Sequence, residues 1–176
     1  MTLFGRLPHL IALAALLLAS MAMAASVQAA KADVELLQSY IGSWKGRGVL
    51  AGSAEPETFV CRLSVTKGNQ GKVNYAGRCA LAGMNLSVSG TIAYIDAASR
   101  YEANMSSNTS FSGEAIGRRQ DNGVVFNLKE RNTDEEGNDM TITARILLQN
   151  DKINVEFNVV FNQTGDMIEA SVPFSK

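Results

Sequence analysis

From residue 44 to residue 174 the chain alternates apolar and polar side chains with a period of two. Short Gly, Asn and Asp turns interrupt the alternation, and no crossover-length helical pattern appears between them. A period of two turns one face of each segment to a core and the other to water, as in antiparallel strands. Trp44, Gly46, Gly48 and Leu50 alternate with Lys45 and Arg47, and Phe59, Cys61, Leu63 and Val65 alternate with Thr58, Arg62 and Ser64. Tyr75 to Leu81, Met84 to Tyr94, Tyr101 to Met105 and Phe111 to Gly117 continue the pattern. Val124 to Leu128, Met140 to Leu148, Ile153 to Phe161 and Ile168 to Phe174 complete it. Asn150-Asp151 and Thr164-Gly165-Asp166 have the composition of tight hairpin links. A meander this long leaves two sticky edges unless it closes on itself. The expected fold is all-β, an antiparallel up-and-down barrel of about 8–10 strands.

One short helix is expected before the strands. Val34, Leu37 and Ile41 share one face at helical spacing, with Asp33 placed to cap the start and Gly42 to stop the end.

Composition matters chiefly at the N-terminus. Residues 1–30 hold 22 apolar residues, while the remaining 146 hold 59. The order is a basic start with Arg6, an apolar run from Leu10 to Ala19, then small residues. That is the grammar of a secretory signal peptide. The run is too short to cross a bilayer of roughly 30 Å as a helix. The small-x-small rule allows cleavage before Ala25 or before Ala30. The second is preferred, because Lys31-Ala-Asp-Val-Glu then opens the mature chain. The expected organisation is a signal peptide over residues 1–29 and a single domain over 30–176, exported to the periplasm or secreted.

The chain has one histidine, His9, and it lies in the segment to be removed. A mature chain without histidine excludes Ser-His-Asp and Cys-His catalysis, His-ligated haem and His-containing zinc sites. No enzyme activity, cofactor or metal is expected. The formal net charge of −1 argues against nucleic acid as a partner.

Cys61 and Cys79 fall on consecutive expected strands. Pairing them centres the hairpin on residue 70, inside the Gly68-Asn-Gln-Gly71 turn. The same register sets Val65 against Tyr75 and Leu63 against Gly77, so every inward pair is apolar. A disulfide facing the core is therefore expected in an oxidising compartment. No Cys-x-x-Cys spacing suggests redox chemistry.

The stretch Leu37-Gln-Ser-Tyr-Ile-Gly42-Ser-Trp44-Lys-Gly46-Arg-Gly48 resembles the entrance of calycin-type barrels, including lipocalins and nitrobindin-like β-barrels. The resemblance implies that Trp44 closes one end of the barrel. Nitrobindin-like proteins hold haem through a histidine near the C-terminus, which the mature chain lacks, so the resemblance implies the fold without the haem. A looser similarity, on Gly42-Ser-Trp44 and Cys61-Arg-Leu63, is to small lipocalin-like periplasmic inhibitors of metalloproteases.

A barrel of this size holds either its own side chains or one small ligand. The candidate lining is Tyr75, Tyr94, Tyr101, Met105, Phe126, Met140 and Phe157. Facing them are small residues, among them Gly77, Gly90, Gly113 and Gly117. Such a lining suits a small hydrophobic molecule or lipid. The alternative is a filled core in a periplasmic interaction protein, acting as an inhibitor or an envelope assembly factor on a protein partner. A small outer-membrane barrel is disfavoured, because the aromatics do not gather at strand ends; after signal cleavage the chain is not expected to span the membrane. Thr133 to Asp139 reads as a solvated hairpin tip, and Arg118-Arg119 as a strand end. Glu102, Glu114 and Glu156 take the polar parity.

Overall fold

The computed structural model describes residues 30–52, 55–81, 84–109, 111–133 and 137–176, with Met84 described by its backbone alone. The expected leader with His9 lies outside the described residues, as do residues 134–136 of the acidic run.

Ten strands follow one short helix, α1, over residues 30–39. They are β1 (Gly42–Ala51), β2 (Glu57–Lys67), β3 (Val73–Leu81), β4 (Met84–Ile95), β5 (Arg100–Ser107), β6 (Ser112–Gln120), β7 (Gly123–Thr133), β8 (Asp139–Gln149), β9 (Lys152–Phe161) and β10 (Met167–Ser175). Each strand pairs antiparallel with its sequence neighbours, and β1 pairs with β10 to close the barrel. Closure removes both free edges, since every strand now has a paired neighbour on each side.

The turns are local consequences of sequence. Asn150 and Asp151 both take positive φ (52° and 55°), the conformation of a two-residue link whose twist matches its strands. Gln70 and Gly71 do the same between β2 and β3, and the Gly68 N–H closes that turn on the Lys72 carbonyl at 2.9 Å. The turn fixes the register: Cys61 faces Cys79, Leu63 faces Gly77 and Val65 faces Tyr75. The Cys61–Cys79 disulfide is formed, and Cys61 is 1% exposed. Its sulfurs belong to the core, as expected. A disulfide belongs to an oxidising compartment.

The inward parity is apolar and packed. Val65, Val73, Tyr101, Val124, Phe126, Leu148, Ile153, Val172 and Phe174 are buried. Tyr101 packs edge-on against Tyr94 and Phe126, with ring centroids 5.1 and 6.1 Å apart. Small inward residues make room for these rings. A Cβ on Gly117 would lie 2.5 Å from the Phe126 ring, so only glycine fits there. Gly90 lies beneath Tyr75 in the same way. The large and small residues of the lining are thus complementary: the rings occupy the space over the glycines.

Two sequence expectations change in detail. Asp33 does not cap the helix, because helix geometry already holds at residue 30. Its carboxylate turns to the barrel, as described below. Phe111 does not open β6; it is buried just ahead of that strand.

Candidate functional site

The barrel has two unlike ends. At one end lie the β2–β3, β4–β5, β6–β7 and β8–β9 turns and the helix α1. We call this the closed end.

Four contacts seat α1 there. Leu37 is buried in the core. Asp33 Oδ1 accepts hydrogen bonds from Tyr101 Oη at 2.5 Å and Arg119 Nη1 at 2.6 Å. Trp44, near the start of β1, donates from Nε1 to the Tyr40 carbonyl at 2.9 Å and stacks on the Tyr40 ring. Lys176 Nζ donates to the Ser39 carbonyl at 3.2 Å and sits 4.8 Å from the centre of the Trp44 ring. A cation at the helix C-terminus meets orphan carbonyls and the negative end of the dipole. Trp44 therefore lies beneath the helix, 1% exposed.

Beside the Asp33 contact is a concavity of about 270 Å³, lined by Ala32, Asp33, Tyr94, Ser99, Tyr101 and Arg119. Asp33 and Arg119 already neutralise each other across it. The arrangement fastens the helix to the barrel.

Burial and its hydrogen bonds hold the Tyr101 phenol well above the usual tyrosine range: desolvation contributes most, then the bond to Asp33 and its charge, opposed by Arg119. Tyr75 is pushed up to about 12 by burial alone, and its hydroxyl donates to the Asn104 carbonyl at 2.8 Å. The folded protein therefore keeps these protons where the unfolded chain, with tyrosines near 10, gives them up. Stability from these groups is complete below about pH 10 and is lost as pH rises toward the folded values. For Tyr75 alone the loss approaches about 2 kcal/mol by pH 12. The expected result is a falling thermal midpoint between pH 10 and 12, with tyrosinate absorbance appearing on unfolding. A flat midpoint across that window would contradict it.

The opposite end differs. Phe59 and Phe111 are buried there, yet Leu50, Leu81, Leu86, Met105, Met140, Phe161 and Ile168 face inward and remain partly exposed. Glu130 and Asn132 continue the inward parity of β7 at this rim and are half-buried. Glu130 packs over Gly113, its Cγ 3.4 Å from the place a Cβ would take.

The seven candidate lining residues all take the inward parity, but the structure does not bring them together. Tyr94, Tyr101 and Phe126 form one cluster toward the closed end. Met140 lies at the far rim opposite Phe161, and Met105 faces Gly113 and Gly90. Phe157 stands between Ala144 and Ala170. Tyr75 crosses Gly90 toward β5. The sequence reading missed Asp33, Arg119 and Glu130. Arg119 and Glu130 extend the inward parities of β6 and β7 by one step, and that was the available signal.

A broader depression, of about 780 Å³, is bordered by β1 and β7 to β10. Nine of its thirteen bordering residues face outward, among them Arg145, Glu156, Asn158 and Ser171, which places it on the outer wall. The Arg145–Glu156 pair crosses it at 3.5 Å. Of the other carboxylates expected to face water, Glu102 pairs with Arg100 at 2.6 Å and Glu114 is exposed. Among the described residues no group of three or more His, Cys, Asp or Glu side chains is placed to hold a metal.

No protein-family profile matches the chain, and no curated protein matches it. Among solved structures, the barrel is similar to that of "Rv2717c from M. tuberculosis", with a TM-score of 0.60 and 10% identity over 80% of this chain and 96% of that one. The likeness concerns the fold alone. A closed antiparallel ten-strand barrel is in keeping with a calycin-like architecture.

Proposed function

We propose that the chain is an exported, periplasmic β-barrel that binds a small hydrophobic molecule at the rim opposite the helix. The observation that carries this reading is the unequal burial of the inward face. At the closed end Trp44, Val65, Val73, Tyr101, Val124 and Phe126 are buried beneath or beside α1, whereas at the far rim Leu50, Leu81, Met105, Met140, Phe161 and Ile168 stay partly accessible. Apolar side chains that face inward and still meet solvent, with few polar groups among them, have the chemistry that suits a small hydrophobic molecule. Glu130 adds one carboxylate at its edge. The filled closed half favours a shallow site over a deep one. The leader-like first thirty residues and the disulfide support export. The outer wall carries the charges and the interior the apolar groups, the reverse of a transmembrane barrel. No catalytic role is proposed.

The fit of rings over Gly90 and Gly117 favours a second reading. In it the core is filled, and the barrel acts on an envelope protein partner.

Native mass spectrometry of the protein recovered from the exported fraction, followed by solvent extraction, separates the two. A bound apolar molecule is expected, with saturable binding of a fluorescent fatty acid probe. Met140→Lys should weaken probe binding at least about tenfold, the cost of a charge left in an apolar site. Absence of both a copurifying molecule and saturable probe binding would leave the second reading standing.

A further inference from the structure

Four cations on the outer wall of β1, β2 and β3 have no partner that explains them. The register sets Lys45 directly opposite Arg62, and Arg62 directly opposite Arg78. Neighbouring strands are about 4.8 Å apart, so three positive side chains stand in a row roughly 10 Å long. Ser175 and Ser87 end the row on β10 and β4. Arg47 stands one step along β1, opposite Val60. All four cations are exposed.

Like charges placed directly opposite across strands are destabilising. Nothing acidic on this wall offsets them. Glu57 is the one acid in β1 to β4, and it stands at the start of β2 on the inward parity. Elsewhere on the outer face Arg100, Arg131 and Arg145 each pair with a carboxylate. Arg118 and Lys129 have no such pair, but they do not oppose each other: Arg118 stands opposite Val125, and Lys129 opposite Thr143. Among the described residues, Lys45, Arg47, Arg62 and Arg78 pair with none.

A second, independent feature shares this wall. Val49 is 48% exposed and Val60 43% exposed, two of the three large apolar side chains left exposed on the described barrel. They are interleaved with the cations: Val60 faces Arg47, and Val49 follows Arg47 by two residues. Cations beside exposed branched apolar groups suit an interface that is anionic at its surface and apolar beneath. The wall carries no aromatic side chain on which a nucleic-acid base could stack.

We propose that this wall docks the barrel on an anionic lipid surface. Lys45, Arg47, Arg62 and Arg78 engage the headgroup phosphates, and Val49 and Val60 settle between the headgroups. The inference stands apart from whether the barrel interior holds a ligand.

The test is cosedimentation of the full chain with phosphatidylcholine vesicles, with and without phosphatidylglycerol. The apolar leader is common to every sample, so only the difference between the two lipids reports on the wall. Wild type should favour the anionic vesicles, and about 1 M salt should abolish the preference. Each cation near an anionic surface strengthens binding by roughly fivefold, so Arg62→Glu with Arg78→Glu should weaken binding at least ~25-fold. Arg118→Glu with Lys129→Glu, an equal charge change on the exposed outer faces of β6 and β7, should keep the preference. The salt titration needs no variant and so does not depend on variant folding. Equal binding to both lipids, or equal loss in the two double variants, overturns the proposal. Retention on an acidic protein matrix with none on anionic vesicles assigns the wall to an acidic protein and also overturns it.

Discussion

Trp44→Ala is expected to lower the unfolding free energy by about 3–5 kcal/mol, the range for deleting a large buried aromatic. The indole is among the largest fully buried side chains described, and it does three jobs at once. Its ring fills the floor of the barrel against Tyr40. Its N–H satisfies the Tyr40 carbonyl at the end of α1. Its face accepts the Lys176 ammonium. Truncation removes the packing, orphans the carbonyl and frees the lysine together. Trp44→Phe keeps most of the packing and loses chiefly the hydrogen bond, so its cost should be nearer about 1–2 kcal/mol. Urea denaturation of the two variants measures both. A Trp44→Ala loss under about 1.5 kcal/mol would show that the helix is not held through this residue. Hydrogen exchange should find α1 the first element to open in Trp44→Ala, because its seat is gone.

Cys61→Ser with Cys79→Ser should cost about 3 kcal/mol in the chain-entropy account, given a loop of 18 residues. For a domain of this length that lowers the thermal midpoint by about 6–12 °C. The barrel should nonetheless form. The β2–β3 pairing runs over seven further strand pairs and two turn bonds that do not need the sulfurs, from Val60 opposite Ala80 to the Gly68–Lys72 turn. The measurement is a thermal scan of wild type with and without reductant beside the double variant. Coincident midpoints for reduced wild type and the variant are expected. A variant without cooperative unfolding would mean that the bridge specifies the register and does more than stabilise it.

That register was legible beforehand because two cysteines, a turn and an apolar parity all pointed to residue 70. The ten strands were legible for a similar reason: alternation and turn chemistry are local, and here they agree. The helix contacts were not legible. Asp33 reaches Arg119 across 86 residues, and its sequence context reads as an ordinary helix cap. Parity says which side chains face inward, but not at what height in the barrel they sit. Height depends on the stagger between strands, which the alternation does not encode. That is why Met140 and Tyr101 seemed parts of one lining, although one stands at the rim and the other over the floor. The row Lys45–Arg62–Arg78 was hidden in the same way, since its members are 17 and 16 residues apart and meet only through pairing.

Nine of the ten strand pairings join consecutive strands, and one does not. In that one, Ala51 on β1 meets Glu169 on β10, 118 residues further on. A newly made chain can zip hairpin by hairpin, but β1 keeps one unsatisfied backbone edge until β10 has emerged. Local pairing is fast and end-to-end closure is slow, because loop entropy is lost before the contact repays it. The late step thus falls on the seam, where Trp44, Lys176 and α1 also converge. A cell handling this polypeptide has to keep that seam apart from other chains for as long as synthesis lasts, a demand on chaperoning rather than on stability.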